Sequence, residues 1–286
     1  MWGLFPLYWT LLEPAGAAEI LAHRVFWSLA VMAALVVALR RRRQFRAILS
    51  TPRTRTILGF AAVVIAVNWG GYIWGVNNGH VVETSLGYFI NPLVTVLMGV
   101  FILGERLRPL QWVAMGIAGV AVVGLTLELG RPPWVALVLA FSFGSYGLAK
   151  KKANAGAIEG LALETLVIAP VALAYLLFLT AQGTSTFTSD GLPHTLLLLS
   201  TGIITAIPLI CFGAAATRVS MTTLGLLQYL APTLQFALGV TIFDEPMPKI
   251  RLLGYAVVWV ALAIFTVEAV NHRRRQLRLT AEASAI

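Results

Sequence analysis

Residues 85–105 read SLGYFINPLVTVLMGVFILGE, and residues 225–245 read GLLQYLAPTLQFALGVTIFDE. With Pro92 set on Pro232, an offset of 140, Gly99 falls on Gly239, Val100 on Val240 and Glu105 on Glu245. Tyr88 and Tyr229 sit near one another in this register. Each stretch is long enough to cross a bilayer and carries a proline near its middle. A repeat at half the chain length means that one unit was used twice, and it decides the architecture.

The rest of the chain fits a membrane. Of 286 residues, 58% are hydrophobic and 12% charged, with mean hydropathy +0.83. A soluble domain carries about 25% charged residues. Ten apolar runs follow one another, at 1–12, 18–39, 57–78, 84–104, 108–127, 132–149, 158–180, 192–216, 222–243 and 250–270. The first would rise only about 18 Å as a helix before Glu13-Pro14. It lacks the basic start and cleavage site of a signal peptide. This spacing predicts that part of the first helix is missing. An upstream reading frame without apolar codons would refute that.

The net charge of +9 points to orientation rather than to nucleic acid. Arg40–Arg43, Arg46, Arg53, Arg55, Arg106, Arg108, Lys150–Lys152, Arg218, Arg273–Arg275 and Arg278 all fall in alternate gaps or the tail. Only Arg131, Lys249 and Arg251 fall in the others. Basic loops stay cytoplasmic, so both termini are expected inside, in the cytoplasmic (inner) membrane. The Arg40–Arg43 run is expected to touch anionic lipid. Five runs per unit is an odd number, so the two units must be inverted, as in secondary transporters. The expected division is 1–149, a link at 150–157, an inverted unit at 158–271 and a basic tail at 272–286. Cys211 lies in an apolar run and is expected to be a buried, inert thiol.

The candidate site residues are the polar ones inside runs. Glu19 and His23 are i and i+4 neighbours in the second run, with Arg24 beside them. Ionisable groups inside spans are costly and mark partners or wet cavities. Together with Glu164 in the seventh run they are candidates for a proton or charge site. The bland alternative is an ion pair anchoring the second run, with Arg24 snorkelling outward. In the third run Asn68 and Tyr72 need partners, and Gly71, Gly75 and Gly79 favour close helix packing. Trp69 and Trp74 read best as lipid-facing or interfacial.

In the fourth run Ser85, Tyr88, Asn91 and Thr95 share a face. Pro92 frees the carbonyl of Tyr88. In the ninth, Gly225, Gln228, Tyr229 and Gln235 repeat the pattern, and Pro232 frees the carbonyl of Gln228. Prolines at matching repeat positions, each with polar neighbours, point to a midplane site. Asn68, Tyr72, Tyr88, Asn91, Thr95, Gln228, Tyr229 and Gln235 are thus the expected substrate path, with Pro92, Pro208 and Pro232 as kinks or hinges. Thr165, Thr201 and Thr205 are weaker candidates, and Glu105 and Glu245 read as solvated ion pairs at helix ends.

No phosphate-cradling G-x-x-x-x-G-K-[ST], H-E-x-x-H or G-x-S-x-G occurs. ATP-driven transport by this chain alone and intramembrane proteolysis are excluded, and no enzyme activity, cofactor or metal is expected.

The segments WGLFPLYW, EILAHRVFWS, GYFINPLV, LGERLRPLQW, AFSFGSYGL, AATR, LGLLQYLAPTL and WVALAIF resemble the RarD branch of the EamA transporters, in the drug/metabolite transporter superfamily. The resemblance implies ten transmembrane helices in a 5+5 inverted repeat. It also implies a central path lined by helices 1, 3, 4, 6, 8 and 9. RarD proteins are named for a link to chloramphenicol sensitivity, and other EamA members export amino acids and small metabolites. The start of this chain departs from the pattern by about half a helix. The function expected is a permease, exporting a small organic solute by alternating access, as a monomer or homodimer. A non-transporting sensor or assembly protein, and a lipid translocator, are the alternatives.

Overall fold

The computed structural model is helical throughout and describes residues 1–128, 130–242 and 249–283. Twelve α-helices and no strand occur among the described residues. Six are long and apolar enough to cross a membrane: α2 (Ala17–Ala38), α4 (Pro52–Asn77), α5 (Val81–Leu103), α6 (Pro109–Glu128), α8 (Ala157–Ala181) and α9 (Gly191–Arg218). In α5 the qualifying stretch starts at Glu83, and in α6 it ends at Leu127. Backbone groups in hydrocarbon must be satisfied internally, so long apolar segments fold as helices.

The other elements are less regular. The first run is a short α1 (Phe5–Trp9) between two turns of 3-10 helix, Trp2–Leu4 and Thr10–Leu12. Helix α7 (Trp134–Ala153) ends in Lys150, Lys151 and Lys152. The ninth run is split into α10 (Met221–Gln228) and α11 (Leu230–Thr241). Pro232 cannot donate to the carbonyl of Gln228, and the break falls at Tyr229. Pro92 and Pro208, by contrast, lie inside α5 and α9, which continue through them. Helix α12 (Lys249–Ala283) runs past the expected span into the tail.

One helix was not expected. The arginine-rich gap after α2 contains α3 (Arg42–Ser50), whose Phe45 packs onto the main core while its arginines stay exposed. Residues 243–248, including Glu245, lie outside the described residues.

The helices of the two halves interleave. Helix α2 packs on α8 and α9, α4 on α7 and α8, α5 on α7 and α10, and α6 on α12. The main core lies where α2, α4, α7, α8 and α9 meet, around Met32, Ile65, Tyr146, Leu161 and Phe212. Glycine permits a close approach at Gly225, where a Cβ would sit 2.8 Å from the carbonyl oxygen of Pro92. The small-residue stripe in the third run divides differently from expectation. Gly75 packs tightly against Thr84 and Val135, but Gly79 (φ +76°) lies in the turn after α4 and touches nothing. Cys211 is exposed on α9, not buried, because that face of the helix has no protein neighbour over it.

Candidate functional site

Arg24 occupies the centre of the constellation. It lies about 10 Å along α2 from Ala17, at 1.5 Å per residue. Its Nε donates to Thr205 Oγ1 at 3.0 Å. Its guanidinium carbon lies 4.7 Å from the ring centroid of Trp9, 5.2 Å from that of Trp69 and 6.0 Å from that of Phe5. Each is within cation–π range. Tyr8, Tyr72 and Tyr88 face the same cation. The rings of Tyr72 and Tyr88 are 6.2 Å apart, edge to face. Arg24 has no carboxylate partner among the described residues. The expectation that Trp69 faces lipid is corrected here, because its ring forms a wall beside the buried cation.

Glu19 and His23, grouped with Arg24 in the sequence, point elsewhere. Glu19 accepts from the backbone N of Thr186 at 2.8 Å, Ser185 Oγ at 3.0 Å and Thr186 Oγ1 at 3.1 Å. His23 stacks on Phe187 and accepts from Trp27 Nε1 through Nδ1. Its Nε2 stands 4.0 Å from Glu19. This pair fastens the α8–α9 connection to the start of α2. One residue further on, a helix has turned by about 100°, so Arg24 faces α1, α4 and α9 instead.

Across the core, Glu164 Oε1 accepts from Lys150 Nζ at 2.6 Å, and Oε2 from Tyr146 Oη at 3.0 Å. Both ionic side chains are buried, with 4% and 1% exposure. Lys150 is therefore no surface charge of the connecting link, as its neighbours had indicated. Tyr146 and Lys150, at i and i+4, share the face of α7 that meets α8. A cavity of about 10 Å³ separates Glu164, Thr165, Ser28 and Thr205, enough for about one water. Thr205 joins the two regions, since it accepts from Arg24 and lines this cavity together with Glu164.

A third polar group joins the two halves directly. Asn91 Nδ2 donates to Gln228 Oε1 at 2.9 Å, and Thr95 Oγ1 donates to Asn91 Oδ1 at 3.4 Å. The amide nitrogen of Gln228 is buried without a partner among the described residues. Asn91 is one turn below Tyr88, so this pair continues the polar face that starts at Arg24.

Other expected path residues are structural contacts. Asn68 Nδ2 donates to the carbonyl of Leu139 and to Ser142 Oγ, tying α4 to α7. Tyr229 is buried among Phe89, Ala121 and Val258, and its hydroxyl donates to the carbonyl of Phe89. Gln235 reaches the carbonyl of Trp2 at 3.4 Å. Thr165 and Thr201 bond their own helix backbone. Glu105 is not a solvated ion pair: it accepts from the backbone N of Met221 and Thr222 and from Thr222 Oγ1. A carboxylate at a helix N-terminus satisfies free donors and complements the dipole, and this one fastens the end of α5 to the start of α10.

The repeat also relates charged residues of the two halves. Carried into the second and seventh runs, the offset of 140 sets Glu19 on Glu159 and Arg24 on Glu164. Part-buried Arg24 and buried Glu164 thus occupy equivalent repeat positions with opposite sign.

Comparison with known proteins follows this geometry. An EamA-like transporter family model matches residues 1–127. "Protein RarD" of Streptomyces exfoliatus is 57% identical over 287 residues, covering 100% of this chain and 91% of that protein. The chain belongs to the EamA-like transporter family, as a RarD-like member. Escherichia coli "Protein RarD" is 42% identical, covering 96% of this chain and 93% of its own length. An "uncharacterized transporter" of Pseudomonas aeruginosa is 43% identical, covering 96% and 92%. One solved crystal structure shares the fold at TM-score 0.69 and 21% identity, covering 94% of each chain. The chain is a multi-pass membrane transporter, and its apolar surface is built for a lipid bilayer.

Proposed function

We propose that this transporter exports a small organic solute by alternating access, rocking two inverted five-helix units (α1, α2, α4, α5 and α6, then α7, α8, α9, α10 with α11, and α12) around Arg24, Tyr72, Tyr88, Asn91 and Gln228; the division expected at 150–157 would leave six segments before it and four after. Ten segments cross the inner membrane in this reading. They are α1, α2, α4 to α9, α10 with α11, and α12, with both termini in the cytoplasm and the chain acting as a monomer or homodimer. The break at Tyr229 ahead of Pro232 serves as a hinge, with Pro92 and Pro208 as further points of bending. Glu164 is the candidate for proton coupling.

The observation that carries this reading is the contact pattern. Exchange each helix for its partner in the other half, and the pairs α2·α8, α6·α12 and α5·α10 map onto themselves. The pair α2·α9 maps onto α8·α4, and α5·α7 and α4·α7 map onto contacts of the first run with α11 and α9. Two units related in this way supply two end states of similar energy, open to opposite faces. A packed, non-transporting core would leave few donors free, whereas among the described residues the Gln228 amide nitrogen has no partner and Arg24 has no counter-ion.

The test is cysteine accessibility at positions 88, 91 and 228 after Cys211→Ser, with position 229 as the packed control. Water-borne thiol reagents reaching 88, 91 and 228 from one face or the other, with 229 protected, is the expected outcome. Protection at all four positions overturns the path. Profiling medium and cytosol of overproducing cells against Arg24→Gln cells then reads direction, and enrichment of one compound class outside only with the intact protein is expected.

A further inference from the structure

Building on the transport reading above, we propose that Arg24 anchors the carboxylate of an organic anion whose apolar body lies against Trp9, Trp69 and Phe5. A guanidinium carries five N–H donors and cannot shed its charge. The only hydrogen bond it makes to a described residue is the one from Nε to Thr205. The nearby carboxylates are spoken for. Glu164 is held by Lys150 and Tyr146, and Glu19 by Ser185 and Thr186. The other cation of the core, Lys150, has its carboxylate at 2.6 Å.

Charges within spans stay where they pair or where they face a pathway. Arg24 does not pair, yet it is only part-buried, so a solute can reach it. Aromatic faces stabilise a guanidinium from above and below while offering nothing to its in-plane N–H groups. Those groups form the fork that matches a carboxylate bidentately. The surrounding rings of Trp9, Trp69 and Phe5 are apolar and suit an aromatic or aliphatic body. Tyr72 and Tyr88 offer only neutral hydroxyls, which discriminate little. The site therefore selects for negative charge.

The probes are 3-phenylpropionate and its neutral isostere 3-phenylpropanamide, added to the purified full-length protein in lipid nanodiscs. Tryptophan fluorescence reports on Trp9 and Trp69, and thermal shift reports on binding independently. The expected result is at least tenfold tighter binding of the acid than of the amide. Arg24→Gln removes that preference. Arg24→Lys retains a weaker one, because an ammonium is a point charge without the fork. Thr205→Val keeps the charge but frees its orientation, and it weakens the acid about three- to tenfold. Should Arg24→Gln fail to fold, the acid–amide comparison in the unaltered protein and Thr205→Val decide.

Equal binding of acid and amide, binding of neither, or an acid preference that survives Arg24→Gln overturns the proposal. Proteoliposome flux separates it from the transport reading. Acid-selective, Arg24-dependent binding without flux leaves the anchor and overturns transport. Flux indifferent to both the carboxylate and Arg24 overturns the anchor and leaves transport.

Discussion

Lys150→Met strips the partner from Glu164 in a setting with almost no water. An exposed ion pair is worth about 0–1 kcal/mol. The Lys150–Glu164 pair is different, at 2.6 Å with 4% and 1% exposure. Removing one member of a buried pair costs about 3–5 kcal/mol, because the other is left charged or must take up a proton. The cavity beside Glu164 holds about one water, which cannot replace an ammonium. For a chain of this size each kcal/mol moves the melting temperature by about 2–4 °C, so the loss is roughly 6–20 °C. Lys150→Met and Glu164→Gln should each show it in a detergent thermal-shift assay. The double variant should recover at least half, since glutamine still accepts from Tyr146 Oη and no charge remains. Single variants within 2 °C of the parent, or a double variant no better than the singles, would refute the reasoning.

Further predictions rest on separate contacts. At Gly202 a Cβ would meet the backbone of Trp27 at 2.5 Å, so Gly202→Leu should split α2 from α9 and abolish folded protein in size-exclusion chromatography. Gly59, with nothing within 4 Å, should accept alanine and gain up to about 1 kcal/mol of helix propensity. Glu105→Ala should loosen the α5–α10 fastening, raising maleimide labelling of Thr222→Cys in a Cys211→Ser background about tenfold, while unchanged labelling would count against the fastening. Asn68→Ala should cost about 1–3 kcal/mol in thermal stability through α4–α7 contact while leaving solute selectivity unchanged, and a selectivity change would return Asn68 to the path.

The spans were legible because crossing hydrocarbon demands length and apolarity, both of which a sequence displays. The break near Tyr229 was legible through Pro232, since a missing N–H acts locally. The repeat was legible in the fourth and ninth runs, where matching glycines and prolines make it visible. In the second and seventh runs the matching residues, Arg24 and Glu164, have opposite sign and conceal the match. What the pattern could not give was direction around each helix. A helix apolar on every side carries no periodic signal, so the neighbours that Asn68, Tyr229 and Trp69 face were not legible. Each turned out to face a different neighbour. Glu105 was misread because its partner is a backbone N-terminus 116 residues away, and backbone donors leave no trace in residue identities.

The interleaved packing bears on how the chain is made. Helices leave the ribosome in order, yet α2 finds its neighbours α8 and α9, and α6 its neighbour α12, only after more than a hundred further residues have been synthesised. Until then the first half sits in the bilayer with Arg24 lacking Thr205 and Glu19 lacking Ser185 and Thr186. The nascent half-chain is therefore the form most open to membrane proteases and to chaperones that shield polar groups in lipid. A gene cut between α6 and α7 would yield two such halves, each needing the other from the moment of insertion.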